Sequence, residues 1–236
     1  TVGPVDPRGN TDDAGHDFCL QKALETYGHE YAMHFPHHEW PAGRDKKHGA
    51  AHAQIAALGA QFGAYNGWER ANWFAKAGDD TSRTATETWE RDGPWQPRVR
   101  EECEAVRDHA GVIDLCGFSR FALSGAGAAD WLETRITGAL PKVGRIGLGY
   151  FANSKGRIMT EMSILRTEED TFTLITAAVA QWHDFELLQH NLPQGLSLVD
   201  LTRDFGTLVV NGPKSREILA TISRADLTAP WLSHQT

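Results

Sequence analysis

The chain has 236 residues, of which 41% are hydrophobic and 23% charged, and its 23 Lys+Arg against 31 Asp+Glu leave a formal net charge of −8. The length suits one domain plus part of another, and the acidic balance argues against a general nucleic-acid surface while leaving room for a local basic pocket. No apolar run reaches the roughly 18 residues that a membrane span needs.

The first 17 residues, rich in Gly, Pro and Asp, read as a loop with no signal-peptide pattern, and a chain opening on Thr reads as a fragment or processed piece. Phe18–Tyr31 carries Leu20, Ala23, Leu24 and Tyr27 at helical spacing, with Gly28 near its end. Ala32–Phe35 reads as a short strand stopped by Pro36, and alanine-rich His48–Phe62 as a second helix. The loop Ala77–Pro97 marks a boundary between 1–95 and 96–236. Val99–Ala110 is an amphipathic helix ended by Gly111.

From there the texture changes. Strands are expected at Val112–Leu115, Ser119–Leu123, Gly147–Ala152, Arg157–Arg166, Thr171–Ala177, Leu196–Asp200 and Phe205–Asn211. NSKG at Asn153–Gly156 is a hairpin turn, and helices fall at Ala126–Thr134, Val179–Asn191 and Pro213–Ile222. The pattern predicts an α+β fold with a mainly antiparallel sheet.

Few residues advertise chemistry. Cys19, Cys103 and Cys116 are far apart and odd in number, giving neither a disulfide framework nor a metal pair; they read as reduced thiols, with Cys116 buried and inert. His29, His34, His37 and His38 crowd together, but their spacing and Pro36 do not fit a zinc-binding helix, so no metal is expected. There is no nucleophile elbow and no P-loop, and GAGAAD at Gly125 lacks the acidic residue of a dinucleotide site. Glu161 alternates with Met159 and Ser163 on one strand face, which suits either a solvent-facing carboxylate or a functional one. The stretch GAQFGAYNGWERANWFA (Gly59–Ala75) holds Trp68, Trp73 and Phe74 around Glu69 and Arg70, and reads as core packing in preference to a ligand cage.

YGHEYAMHFPHHEWPAGR (Tyr27–Arg44) followed by LGAQFGAYNGWERANWFA (Leu58–Ala75) resembles the central segment of the dimethylglycine and sarcosine dehydrogenase (oxidase) family. VREECEAVRDHAGVIDLCGFSRFAL, VGRIGLGYFANSKGRIMTEMSIL, FTLITAAVAQWHDFELL and LVVNGPKSREIL then follow in order, similar to the folate-binding domain shared with the glycine-cleavage aminomethyltransferase. The resemblance implies a central segment of an FAD-dependent amine oxidoreductase joined to an incomplete aminomethyltransferase-like domain. In such enzymes an FAD domain oxidises an N-methyl amine to an iminium, and the folate domain passes the one-carbon unit to tetrahydrofolate as 5,10-methylenetetrahydrofolate.

On this resemblance Glu161 stands at the carboxylate position of the hairpin strand, and Thr160 replaces an aspartate that aminomethyltransferases use. Leu148, Ile175 and Ala177 fall on pocket-wall positions, with Tyr150 and Ser163 also assigned to cofactor binding. A carboxylate there can take a proton or steady a cation, and a flat pterin needs apolar walls.

The resemblance also implies partners: an FAD-binding domain or subunit, the remaining C-terminal folate-domain segment with its anchoring acid, and a small N-methyl amine, in an oligomer or complex without nucleic acid or membrane. The bacterial cytoplasm or the mitochondrial matrix is the matching compartment. Two other readings remain at this point, a stand-alone folate-binding or aminomethyltransferase-type subunit and a non-catalytic assembly module.

Overall fold

The computed structural model describes residues 15–235. Helix α1 (His16–Gly28) forms where the apolar spacing places it. The strand expected over Ala32–Phe35 does not form: these residues have no ladder partner, Pro36 lacks a donor, and the chain turns at His37, whose φ is 62°. After β1 (Lys47–His48), helix α2 spans only His52–Ala57, far short of the expected His48–Phe62. Its alanines favour helix, but Gly59 takes a φ of 91° and reverses the chain. Ala60–Tyr65 is then claimed by strand pairing as β2, against β3 (Trp68–Phe74).

The tryptophan-rich stretch is therefore a hairpin. Asn66 and Gly67, at φ 52° and 83°, make its two-residue turn, the conformation Asn-Gly favours. Trp68 and Trp73 are only 7% and 6% exposed. Strand β1 adds to β3 in parallel, with His48 in register with Glu69. The short helix α3 (Arg83–Thr86) interrupts the following loop. Helix α4 (Gln96–Asp108) starts with Pro97 in its first turn, where a missing N–H costs nothing, and leads into β4 (Gly111–Asp114).

Next come β5 (Phe118–Ser124), α5 (Ala128–Glu133), β6 (Ile136–Thr137), β7 (Arg145–Ala152), β8 (Ile158–Glu168), β9 (Thr171–Ala177), a 3-10 turn at Ala178–Ala180, α6 (Gln181–Gln189) and β10 (Ser197–Asp200). The strands form one antiparallel sheet in the order β10-β5-β9-β8-β7-β6. Alternation sends Phe121 and Leu123, Met162 and Ile164, and Phe172 and Leu174 to one face, where they pack with Leu132 of α5 and Leu188 of α6. Burial of each such side chain contributes about 1.5–3 kcal/mol.

The chain ends with β11 (Leu208–Asn211), antiparallel to β4, and α7 (Ser215–Ile222). Two compact units result. One comprises residues 118–205 with 222–235, and the other comprises residues 15–117 with Gly206–Thr221. The fold is α+β with mainly antiparallel sheets, as the sequence predicts.

Candidate cofactor-binding site

Three strands of the six-stranded sheet set a row of side chains on the face away from its core. Leu148 pairs with Ser163 across β7–β8, and Ser163 pairs with Ile175 across β8–β9. Two residues along, Glu161 joins Ser163 on that face, because Met162 between them and Ile164 after them point into the core. A cavity of about 740 Å³ opens over this row, within the range of cofactor sites. Its lining includes Leu148, Glu161, Ser163, Ile175 and Ala177, so five of the six expected site residues come together. Tyr150, although opposite Glu161 in register, is not part of the lining.

The cavity is chiefly apolar. Phe118, Leu148, Ile158 and Met159 border it while 40%, 51%, 65% and 43% exposed. Large apolar side chains gathered around one opening are a marker of ligand binding. The Glu161 side chain is exposed at this opening and engages in no hydrogen bond or ion pair among the described residues. Its carboxylate is available to a ligand.

The floor holds a group that sequence reasoning missed. Asp184, in the first turn of α6, is fully buried. Its Oδ2 accepts hydrogen bonds from the hydroxyls of Thr160 on β8, at 2.9 Å, and Thr176 on β9, at 2.5 Å. Its Oδ1 lies 2.8 Å from His183 Nδ1. One carboxylate thus ties two strands and a helix together under the cavity, and Thr160 serves as its hydrogen-bond donor. The available signal was an acidic residue one helical turn before Leu188, on the face that must turn inward.

Elsewhere, Arg44 and Glu69 form a tightly bonded pair. Arg44 donates to Glu69 through Nε at 2.9 Å and again through Nη2, and also reaches the Phe62 carbonyl at 2.9 Å. Burial pushes the Glu69 carboxyl up, but the Arg44 guanidinium and the Asp45 N–H outweigh it and hold the group below the ordinary glutamate value. Cys116 is buried, and that burial pushes its thiol up to about 11, leaving it a poor nucleophile. The rings of His29, His34 and His38 pack with one another and with Trp40, at centroid distances of 4.9–6.1 Å.

The model of the GCVT N-terminal domain matches residues 51–236. The chain belongs to that family. The family's solved fold agrees: a glycine cleavage system aminomethyltransferase T from Bartonella henselae superposes with a TM-score of 0.64 at 22% identity, over 79% of this chain and 46% of that one. Ahead of the GCVT region, residues 5–48 match the FAD dependent oxidoreductase central domain.

Curated relatives match across both of these regions together. The chain is 33% identical to 4-methylaminobutanoate oxidase (formaldehyde-forming) of Paenarthrobacter nicotinovorans, over 89% of its length and 25% of the relative's. It is 28% identical to mitochondrial dimethylglycine dehydrogenase of Mus musculus, over 88% of its length and 24% of the relative's. The chain therefore spans about a quarter of the curated relatives it matches. Among the described residues no helix is long and apolar enough to cross a membrane.

Proposed function

We propose that this chain is part of an FAD- and tetrahydrofolate-dependent N-demethylase acting on dimethylglycine, sarcosine or a related N-methyl amine, and that its GCVT region receives the one-carbon unit. The observation that carries this reading is the apolar cavity with one uncommitted carboxylate, Glu161, at its opening. The names of the dehydrogenase and oxidase relatives support the class of reaction.

The cavity's residues suit a reduced folate. Leu148 and Ile175 offer apolar walls to a flat ring, and Ser163 between them offers a hydroxyl. Bound tetrahydrofolate supplies the amine nitrogens that accept a one-carbon unit. Glu161 takes up the proton released there and balances positive charge as it develops. Asp184 holds the floor through Thr160 and Thr176 and does not itself reach the opening.

FAD belongs, on this reading, to a domain or subunit outside these residues. Support comes from the oxidoreductase match at 5–48 and from Leu20, Leu24, Tyr27, Tyr31 and Met33, which are exposed in that segment and suit cover by further protein. The compartment is the bacterial cytoplasm or the mitochondrial matrix.

Calorimetric titration of the flavin-bearing enzyme that contains these residues with tetrahydrofolate tests the reading. Binding is expected, and Leu148→Arg should abolish it while the circular dichroism of the fold persists. Glu161→Gln should keep affinity within about threefold and slow production of 5,10-methylenetetrahydrofolate by the flavin-bearing enzyme about 10²-fold or more. A folded chain that binds no folate, alone or with its flavin partner, would leave an assembly module instead.

A further inference from the structure

A second cluster of ligand-type side chains lies in the other unit, among residues that the histidine-rich run does not include. His48 Nε2 is 2.6 Å from Asp45 Oδ1. The His48 ring stacks on His52 at a centroid distance of 4.0 Å, and His52 in turn packs on Phe62 at 4.3 Å. One potential ligand atom from each of Asp45, His48 and His52 lies within 4.8 Å of the other two. His52 Nδ1 is buried and has no hydrogen-bond partner, a cost that a bond to the ring would relieve.

The backbone under the cluster is fixed before any ligand arrives. Asp45 sits at a φ of 66°, and its N–H donates to Glu69 Oε1 at 2.7 Å. His48 is in register with that same Glu69. At Gly49 a Cβ would come within 2.8 Å of both Asp114 Oδ2 and Cys116 Cβ, so the turn into α2 is pressed against β4 and the residues that follow it. The His52 N–H closes that turn on the Gly49 carbonyl at 3.0 Å.

We propose that Asp45, His48 and His52 form a binding site for a divalent transition metal, zinc by preference. Two imidazoles and one carboxylate match the nitrogen and oxygen ligands that zinc accepts, whereas magnesium and calcium require oxygen sets. Three protein ligands leave a fourth tetrahedral position for water. Parallel stacked rings direct their lone pairs side by side, so binding tilts His48 out of the stack; its side chain, 41% exposed, has room to move. The site is independent of the cavity beside Glu161. It departs from the sequence expectation of no metal, which rested on the run from His29 to His38.

The test uses the whole chain, stripped with a chelator and titrated calorimetrically with zinc chloride. Cobalt(II) serves as a second probe, through the visible absorption of a tetrahedral site. One equivalent of zinc should bind and raise the melting temperature. Asp45→Asn and His48→Ala should each weaken binding by more than about tenfold and remove the stabilisation. Both residues have exposed side chains, so these variants stay folded even if His52→Ala does not. His34→Ala, in the separate aromatic cluster, should bind as the unaltered chain does. The proposal is overturned if no stoichiometric binding occurs, if Asp45→Asn and His48→Ala bind zinc normally, or if His34→Ala abolishes binding.

Discussion

A carboxylate enclosed by protein must be held by donors, and the energetic weight of Asp184 follows from that rule. Asp184→Ala would leave the Thr160 and Thr176 hydroxyls without their acceptor and open a hole beneath the cavity. Urea unfolding followed at the six-stranded sheet should show a loss of about 3 kcal/mol; a loss below about 1 kcal/mol would mean that the network is slack. Glu69 makes a pH-dependent contribution. Its folded pKa is depressed, so the contribution is complete above the unfolded carboxylate value of about 4.3 and disappears as pH falls through the lower folded value. Glu69→Gln should therefore cost stability at neutral pH and flatten the acid side of the stability profile. Parallel profiles for the two proteins would contradict this account. Residue positions on the hairpin were legible because alternation along β8 separates Glu161 and Ser163 from Met162 and Ile164. Asp184 was not, because its burial depends on which side of α6 meets the sheet, and that is settled by packing distant in sequence.

At the scale of elements, the local rules place the strands after Gly111 and the helices α1 and α4 before it, and mislead at Ala32–Phe35 and His48–Phe62. The turn NSKG and the alternating strands around it leave β7, β8 and β9 little alternative. His48–Phe62 shows the opposite case: alanine-rich sequence favours helix, yet pairing of β2 with β3 takes the second half of the segment. Gly59 decides where one ends and the other begins. At its φ of 91°, a Cβ would collide with the Ala75 carbonyl oxygen, whereas at Gly67 the nearest atom to a Cβ is 3.6 Å away on the flexible Lys47 side chain. Gly59→Ala should thus cost roughly 2–4 kcal/mol through strain and collision, and Gly67→Ala only about 1 kcal/mol of strain. Thermal melts of the two variants measure the difference, and equal losses would remove Gly59 from this role.

At the scale of the whole molecule, the division into two units breaks the order of the chain. Residues 118–205 form most of one unit, and the chain then returns at Gly206–Thr221 to complete the other. Unfolding need not be a single transition under these conditions. Replacing Gly206–Thr221 with a flexible linker removes β11, the partner of β4, and leaves residues 222–235 to the first unit. Amide exchange at Val112–Asp114 should then rise to the rate of a frayed edge, while Phe172 and Leu174 in the six-stranded sheet keep their protection. Loss of protection in both places would show that the units fold as one.

The late return of β11 also bears on how the protein is made. Strand β4 leaves the ribosome well before its partner exists. At about 5–20 residues per second, the wait lasts roughly 5–20 s. Throughout that interval β4 offers an open edge to any neighbouring nascent chain, and Val112 and Ile113 remain exposed even in the finished protein. The pace of translation across residues 115–207 therefore helps to set the yield of folded chain, a property written in the codons of the gene as well as in the amino acids.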